Sequence, residues 1–164
     1  FRPKVVSVGK ALLFPSAVQA LGPAGHNLST EIWWSPQHPL SSSLDGRTSA
    51  QLATAYTQAT GKQWTQPIGY GHALFELAVD ILRHTAQVGD PHAVREALLA
   101  TELNTAVGPV SWNHGPLKNV AKTPLVAGQW RQGGAFGYDL VITANRTAPN
   151  IPLGGEMQPI TYGG

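Results

Sequence analysis

The sequence predicts an α/β fold, and three observations support this prediction. Short β-branched runs such as residues 4–9 and 138–143 are typical of buried strands. Residues 72–86 instead repeat apolar side chains at helical spacing. The 164 residues include 18 glycines and 13 prolines, which divide the chain into short elements. With 42% apolar residues, the chain can bury a core, so wholesale disorder is excluded.

The first part of the chain is predicted to contain two strands and a short helix between them. Residues 4–9 form a β-branched run that ends at a glycine, which indicates a buried strand. A helix is predicted over residues 16–21, because Gly22 and the proline after it stop the helix. Residues 28–34 predict the second strand, which ends before Pro36.

Three consecutive helices are predicted in the middle of the chain. Thr48 and Gln51 form a T-x-x-Q capping box, which begins a helix that ends at Thr60. The longest helix is predicted over residues 72–86, and a third runs over residues 91–101 after an aspartate N-cap. The longest helix carries an apolar stripe that we expect to pack on a core. The stripe consists of Ala73, Leu74, Leu77, Ala78, Ile81 and Leu82.

The last part of the chain is predicted to be rich in strands. Residues 107–112 and 124–130 predict two short strands that are joined by a polar loop over residues 113–123. A third strand is predicted over residues 138–143. The residues from 145 to 164 are rich in proline and glycine, which indicates a loop.

Composition excludes several functional classes. The net charge is +2, and the 11 basic residues are scattered, so no basic stripe for nucleic acid is predicted. No apolar run approaches the roughly 20 residues that a transmembrane helix needs. The absence of cysteine excludes disulfides and thiolate metal sites.

Motifs for catalysis and cofactor binding are also missing from the sequence. It contains no P-loop and no G-x-S-x-G nucleophile elbow, and we predict neither an enzyme nor a bound cofactor. His72 and Glu76 lie one helical turn apart, as do Asp80 and His84. Two such pairs are compatible with a metal site, but solvated partners on the polar side of a helix are the favoured interpretation.

Aromatic residues supply the candidates for ligand binding. Neighbouring residues of a strand point to opposite faces, so one of Trp33 and Trp34 is expected to enter the core. The other would face outward or into a cleft, where it offers a large apolar surface to a small ligand. The alternative is that both pack. Tyr70, just ahead of the longest helix, either lines a pocket or closes the loop over the core.

Four segments carry a family resemblance, at residues 10–22, 28–39, 51–82 and 107–130. In this order and spacing, they resemble the C-terminal portion of type I periplasmic solute-binding proteins of the branched-chain amino acid ABC transporter group. Residues 10–22 resemble a helix of the second lobe, and residues 28–39 resemble the strand that crosses the hinge. Residues 51–82 are similar to a helix, loop and long helix near the cleft. Residues 107–130, with GPVSW and GQW, resemble the return hairpin and are the most specific match.

The resemblance implies part of a two-lobe fold, in which three-layer α/β/α lobes are joined by hinge crossovers. Residues 1–32 and 123–164 would belong to lobe two, and residues 33–122 to lobe one. Crossovers would lie near residues 32–35 and 122–124. The N-terminal half of the family's fold would be absent from this chain, which agrees with three helices that have no strands between them to pack on.

The resemblance also implies a function. The chain would be a fragment of an extracytoplasmic solute-binding protein, periplasmic or extracellular and membrane-associated. It would deliver an amino acid, amide or aromatic or aliphatic carboxylate to an ABC importer. The implied partners are that small-molecule ligand, the ABC permease in the membrane, and the missing N-terminal half or a second copy of the chain. The alternative is a ligand-sensing domain of a receptor or regulator with the same fold.

A ligand site in two parts follows from the same resemblance. The turn over residues 7–11 would face the cleft, and Gly9 would let backbone N–H groups approach a ligand carboxylate. The electric field at the N-terminus of the following helix would also stabilise that carboxylate. Lys10 stands where the family often has a carboxylate for an α-ammonium group, which favours an acid or amide as ligand. The hinge and lobe one would supply aromatic rings. The implied site residues are Ser7, Gly9, Lys10, Trp33, Trp34 and Tyr70.

Overall fold

The computed structural model describes residues 1–162, and within them helices and strands are mixed as predicted. The final glycines, which belong to the predicted last loop and to predicted lobe two, lie outside the described residues. The helices are α1 (Pro15–Gln19), α2 (Ser49–Thr60), α3 (Pro67–His84) and α4 (Pro91–Leu99). The strands are β1 (Ser29–Ile32), β2 (Glu102–Thr105), β3 (Gly108–Ser111), β4 (Val126–Gln132) and β5 (Tyr138–Ala144).

The strands form two antiparallel sheets. The larger sheet has the order β1-β4-β5, so β4 lies in its middle, with Ser29 opposite Gln129 and Trp130 opposite Leu140. The smaller sheet is the β2–β3 hairpin. Strand β2 was not predicted, because its sequence, ELNT, has neither the alternation nor the β-branched enrichment that marks a strand.

The prediction of a buried strand over residues 4–9 is wrong. This segment makes only a bridge to the larger sheet, in which the Val8 N–H donates to the Ser29 carbonyl at 2.8 Å and the Ser29 N–H donates to the Val6 carbonyl at 2.9 Å. Val5 remains 47% exposed. The segment lies at the edge of the sheet, where nothing in residues 1–162 covers both of its faces, so its β-branched side chains are not enclosed.

The ends of two helices follow the sequence signals closely. Thr48 Oγ1 accepts from the Gln51 N–H at 3.2 Å, and Gln51 Oε1 accepts from the Thr48 N–H at 2.9 Å, so the predicted capping box of α2 is confirmed. Gly61 ends that helix in the left-handed conformation at φ 68°. Asp90 Oδ1 caps α4 by accepting from the His92 N–H at 2.9 Å.

Only part of the apolar stripe predicted for α3 packs on a core, because Ala73 alone of its residues is fully buried in a cluster. The helix begins at Pro67, five residues earlier than predicted, and its fully buried residues are Gly69, Ala73 and Glu76. Leu74 is 67% exposed and Leu82 is 49% exposed. Small residues allow α3 to approach its neighbours closely on the inner face, which leaves the larger apolar side chains outside. Leu77 and Ile81 are half-buried, and Ala78 is exposed.

The described residues form two separate hydrophobic clusters, one on the larger sheet and one among the helices. We call residues 1–32 and 123–162 the sheet region, and residues 33–122 the helical region; their assignment to two lobes stays a prediction. Trp64 is half-buried and packs against both clusters. The sheet cluster consists of Leu12, Val18, Ile32, Val126, Trp130, Tyr138, Leu140, Ile142, Ala148 and Ile151. The helix cluster consists of Trp34, Leu52, Ala53, Ala73, Ala106 and Val107.

Candidate functional site

Three of the predicted site residues lie together. Lys10 Nζ lies 5.9 Å from the centroid of the Trp33 ring, within the range of a cation–π contact. The Trp33 ring meets the Tyr70 ring edge to face, with centroids 6.0 Å apart and an interplanar angle of 72°. The Tyr70 hydroxyl is 2.7 Å from Thr123 Oγ1. A cation and two half-buried aromatic rings are therefore brought together from distant parts of the sequence.

This cluster lies where the chain passes between the sheet region and the helical region. Trp33 directly follows β1, Tyr70 lies in the first turn of α3, and Thr123 precedes β4. Lys10 begins a single 3₁₀ turn, Lys10–Leu12, in the sheet region. Each region thus contributes side chains, so a ligand held here would contact both.

Gln66 connects these segments and was missed by the sequence analysis. Its side chain is fully buried, and its Oε1 accepts from the Trp33 N–H at 2.7 Å. Its Nε2 donates to the Glu31 carbonyl at 3.1 Å. Gln66 therefore ties the end of β1 to the start of α3, and it fixes the backbone that carries Trp33 relative to Tyr70. Its position directly before a proline at N1 is the only signal in the sequence.

The predicted turn around Gly9 differs from the expectation in two respects. The 3₁₀ turn is followed by α1, a helix of only five residues, so no helix dipole of useful length supports ligand binding here. A side chain carbon placed on Gly9 would lie 3.6 Å from Glu31 Oε1. The half-buried Glu31, which sequence reasoning missed, therefore supplies a carboxylate beside the turn from the neighbouring strand.

Ser7 does not join the aromatic cluster. It is exposed and forms the bridge partner of Ser29. It lines a separate cavity of about 310 Å³ together with Glu31 and Arg146, and neither Lys10 nor the aromatic pair lines that cavity. Glu31 is the residue shared between this cavity and the Gly9 turn.

The structure places Trp34 in the core instead of at a cleft. The side chain is fully buried and meets Trp64 edge to face at a centroid distance of 6.1 Å. Gly69 packs so closely on the Trp34 ring that a Cβ at this position would lie 2.4 Å from it. Both tryptophans follow the last residue of β1, and they differ as expected in burial, with Trp34 buried and Trp33 half-buried. The candidate site therefore leaves Trp34 out.

Glu76 is not the solvated helix residue that its pairing with His72 suggested. It is fully buried, and its Oε1 accepts from the Ser43 N–H at 2.6 Å and from Ser43 Oγ at 2.8 Å. Its Oε2 accepts from the Ala106 N–H at 2.9 Å. His72 Nε2 instead lies 2.8 Å from Ser42 Oγ. The carboxylate thus holds the loop before α2 and the β2–β3 turn.

The second predicted pair lies at the surface. His84 Nδ1 is 3.3 Å from Asp80 Oδ1, and the His84 side chain is 71% exposed. Within residues 1–162, no group of three histidine, aspartate or glutamate side chains is placed to hold a metal ion. In the same range, no helix combines the length and hydrophobicity needed to cross a bilayer.

His38 is a buried histidine of the helical region. Its Nδ1 is 2.8 Å from Ser35 Oγ, and only 2% of the residue is exposed. Burial lowers the pKa of His38 to about 4, and a hydrogen bond with the Ser35 backbone opposes this shift only in part. The imidazole is therefore neutral at physiological pH.

The comparisons with known proteins support the fold. No protein-family model and no curated protein matches the sequence. The leucine-binding protein LivK of Thermotoga maritima matches with a TM-score of 0.65 and 15% identity, over 87% of this chain and 37% of that one. An ABC transporter substrate-binding protein of Sphaerobacter thermophilus matches with a TM-score of 0.59 and 18% identity, over 78% of this chain and 33% of that one.

A third match has a ligand in its structure. The branched-chain amino acid transporter substrate-binding protein LivJ of Streptococcus pneumoniae, in complex with isoleucine, matches with a TM-score of 0.59 and 11% identity. The match covers 84% of this chain and 37% of that one. The chain thus spans about a third of the length of these solved structures. The resemblance seen in the sequence is confirmed for the fold: the chain has the fold of part of a type I periplasmic binding protein.

Proposed function

We propose that the chain is the ligand-binding portion of an extracytoplasmic solute-binding protein that delivers a small carboxylate to an ABC importer. It is not an enzyme, and it works in the periplasm or at the outer face of the membrane. The observation that carries this proposal is the cluster of Lys10, Trp33 and Tyr70 at the junction of the two regions, in a fold shared with substrate-binding proteins.

The cluster has the chemistry that a small amphipathic acid requires. Lys10 is exposed and can pair with a carboxylate, and the half-buried Trp33 and Tyr70 rings offer apolar surface. Glu31 beside the Gly9 turn can accept an α-ammonium group, so an amino acid suits this site as well as a plain acid. Gly9 lies in the turn that carries Lys10 on the side of the sheet region.

Ligand binding would favour a closed arrangement of the two regions. Lys10 belongs to the sheet region and Tyr70 to the helical region, so a ligand between them gains contacts only when both are close. The regions would close about the two junctions. The free energy that favours closure equals the difference in the ligand's binding free energy between the closed and the open state. The closed form would then dock on the permease, with the remainder of the longer protein or a second copy of the chain completing the cleft.

Leucine and isocaproate test the proposal because they differ only in the α-ammonium group. We expect Lys10→Met to lower the affinity for both compounds about tenfold, because each carboxylate loses a charge-assisted hydrogen bond. We expect Glu31→Gln to weaken the binding of leucine and to leave the binding of isocaproate unchanged. Isothermal titration calorimetry measures the affinities, with Lys118→Met as the control for loss of an exposed lysine elsewhere. Unchanged affinity in Lys10→Met would contradict the proposal.

A further inference from the structure

The cavity that Ser7 lines contains two charged side chains of opposite sign. Glu31 lines it from β1, and Arg146 lines it from the segment that follows β5. Among the described residues, no other charged side chain lines this cavity, and neither of these two forms an ion pair. Its volume of about 310 Å³ lies near the lower end of the roughly 300–1,000 Å³ typical of small-molecule sites. A free carboxylate and a free guanidinium group therefore line one space of ligand size.

The register of the larger sheet indicates that the Glu31 side chain points into this cavity. Ile32 and its partner Val126 are both buried in the sheet cluster. Successive residues of a strand point to opposite faces, so the next pair, Glu31 and Ala127, lies on the face away from that core. Ala144 is opposite Ala127 and lines the same cavity. We call Ala127 and Ala144 the alanine floor, because these small side chains leave the space beside Glu31 open.

Glu31 connects this cavity to the candidate site. Its Oε1 lies 3.6 Å from the position that a Cβ on Gly9 would take, and Lys10 is the next residue of that turn. The backbone carbonyl of Glu31 accepts from the Gln66 side chain, which also accepts from the Trp33 N–H. One carboxylate is therefore shared between a site that contains a lysine and a cavity that contains an arginine.

We propose that the site takes an α-amino acid with an acidic side chain, such as glutamate. Its α-carboxylate pairs with Lys10, its α-ammonium group with Glu31, and its side-chain carboxylate with Arg146. The methylene groups of the ligand lie on the alanine floor. Such a ligand has two negative charges and one positive charge, which complement the two cations and the carboxylate of the site. This inference rests on the proposed function, because it assigns the substrate class of the same site.

Calorimetric titration with glutamate, glutamine and leucine tests the contact with Arg146. Glutamine has nearly the shape of glutamate but no side-chain charge, so we expect it to bind about tenfold more weakly. Arg146→Met should remove this preference and leave the affinity for leucine unchanged. Arg95→Met, which removes an exposed arginine of α4 outside the cavity, is the matched control. Both arginines are exposed, so we expect both variants to fold.

A second variant tests whether the ligand's side chain lies on the alanine floor. Ala144→Asp places a carboxylate on that floor, where it repels the side-chain carboxylate of glutamate and pairs with Arg146. We expect the affinity for glutamate to fall about tenfold or more, and the affinity for leucine to fall less. Ala86→Asp, which adds a carboxylate at another exposed alanine, is the control. An equal loss in both variants would overturn the inference.

The outcomes separate this inference from the proposed function. If leucine binds and its binding depends on Lys10, but glutamate binds no more tightly than glutamine, the inference is overturned and the proposed function stands. An equal effect of Arg146→Met on glutamate and on glutamine also overturns the inference. If none of the three amino acids binds, the inference is overturned as well, and titration with isocaproate alone decides on the proposed function.

Discussion

The sheet region and the helical region bury their apolar residues to different extents. The sheet cluster has ten buried hydrophobic residues, and the helix cluster has six. In the helical region, buried space is shared with polar side chains such as Glu76 and Gln66, while Phe75 remains 71% exposed on the outer face of α3. The sheet region is thus held mainly by apolar packing, and the helical region by specific hydrogen bonds as well.

The largest effect is expected from Glu76, on which the helical region depends. Glu76→Leu leaves the Ser43 and Ala106 N–H groups buried without an acceptor, and we expect the free energy of unfolding to fall by about 4 kcal/mol. Urea denaturation measures the change. Glu96→Leu, at an exposed position of α4, is the control and should stay within about 0.5 kcal/mol. A similar loss in both variants would mean that the buried carboxylate has no special role.

Lowering the pH should reduce the free energy of unfolding, because His38 of the helical region is buried in its neutral form. Its folded-state pKa of about 4 lies below the ordinary histidine pKa of 6.5, so the unfolded state binds the proton more readily. Stability is therefore complete above pH 6.5 and falls as the pH drops towards 4, by on the order of 3 kcal/mol. Urea denaturation across this range measures the loss. His38→Asn should flatten the pH dependence, whereas His92→Asn, at an exposed position, should retain it.

The two buried tryptophans offer a direct comparison of the regions. Trp130 Nε1 donates to the Leu12 carbonyl at 3.0 Å, whereas Trp34 Nε1 has no partner among residues 1–162. We expect Trp130→Phe to lower the free energy of unfolding by about 2 kcal/mol and Trp34→Phe by about 1 kcal/mol, because only the former orphans a buried carbonyl. Thermal and urea denaturation measure both. A larger loss in Trp34→Phe would reverse this ranking.

The smallest effect on stability is expected on the outer face of α3. Phe75→Ser should change the free energy of unfolding by no more than about 0.5 kcal/mol, because the side chain makes little contact within the described chain. Native mass spectrometry should show less self-association in this variant, since an exposed apolar face favours association. A loss of several kcal/mol in the monomer would show that the face is already covered.

Local signals in the sequence predicted local structure well. Thr48 with Gln51 and the glycine at position 61 each act within one helical turn, so they fix the ends of α2 whatever surrounds them. The order of the segments also sufficed to recognise the fold. Trp33 and Tyr70 were singled out as aromatic candidates, and Lys10 through its position in a segment that resembles the family.

Contacts between distant residues were not predictable. Periodicity shows that α3 has an apolar stripe, but it does not show whether a surface covers that stripe. Gln66 and Glu76 look like ordinary polar residues in the sequence, and their roles depend on backbone groups about thirty residues away. Glu31 reaches the Gly9 turn from a neighbouring strand, which no spacing along the chain reveals.

Fluorine NMR of the fluorotryptophan-labelled chain tests the central claim most directly, with Trp33 assigned through Trp33→Phe. Titration with leucine and with isocaproate should shift the Trp33 resonance and leave the Trp130 resonance unchanged, because Trp33 alone of the two lies against Lys10 and Tyr70. Saturable binding of either compound that leaves the Trp33 resonance where it was would contradict a ligand site at this junction.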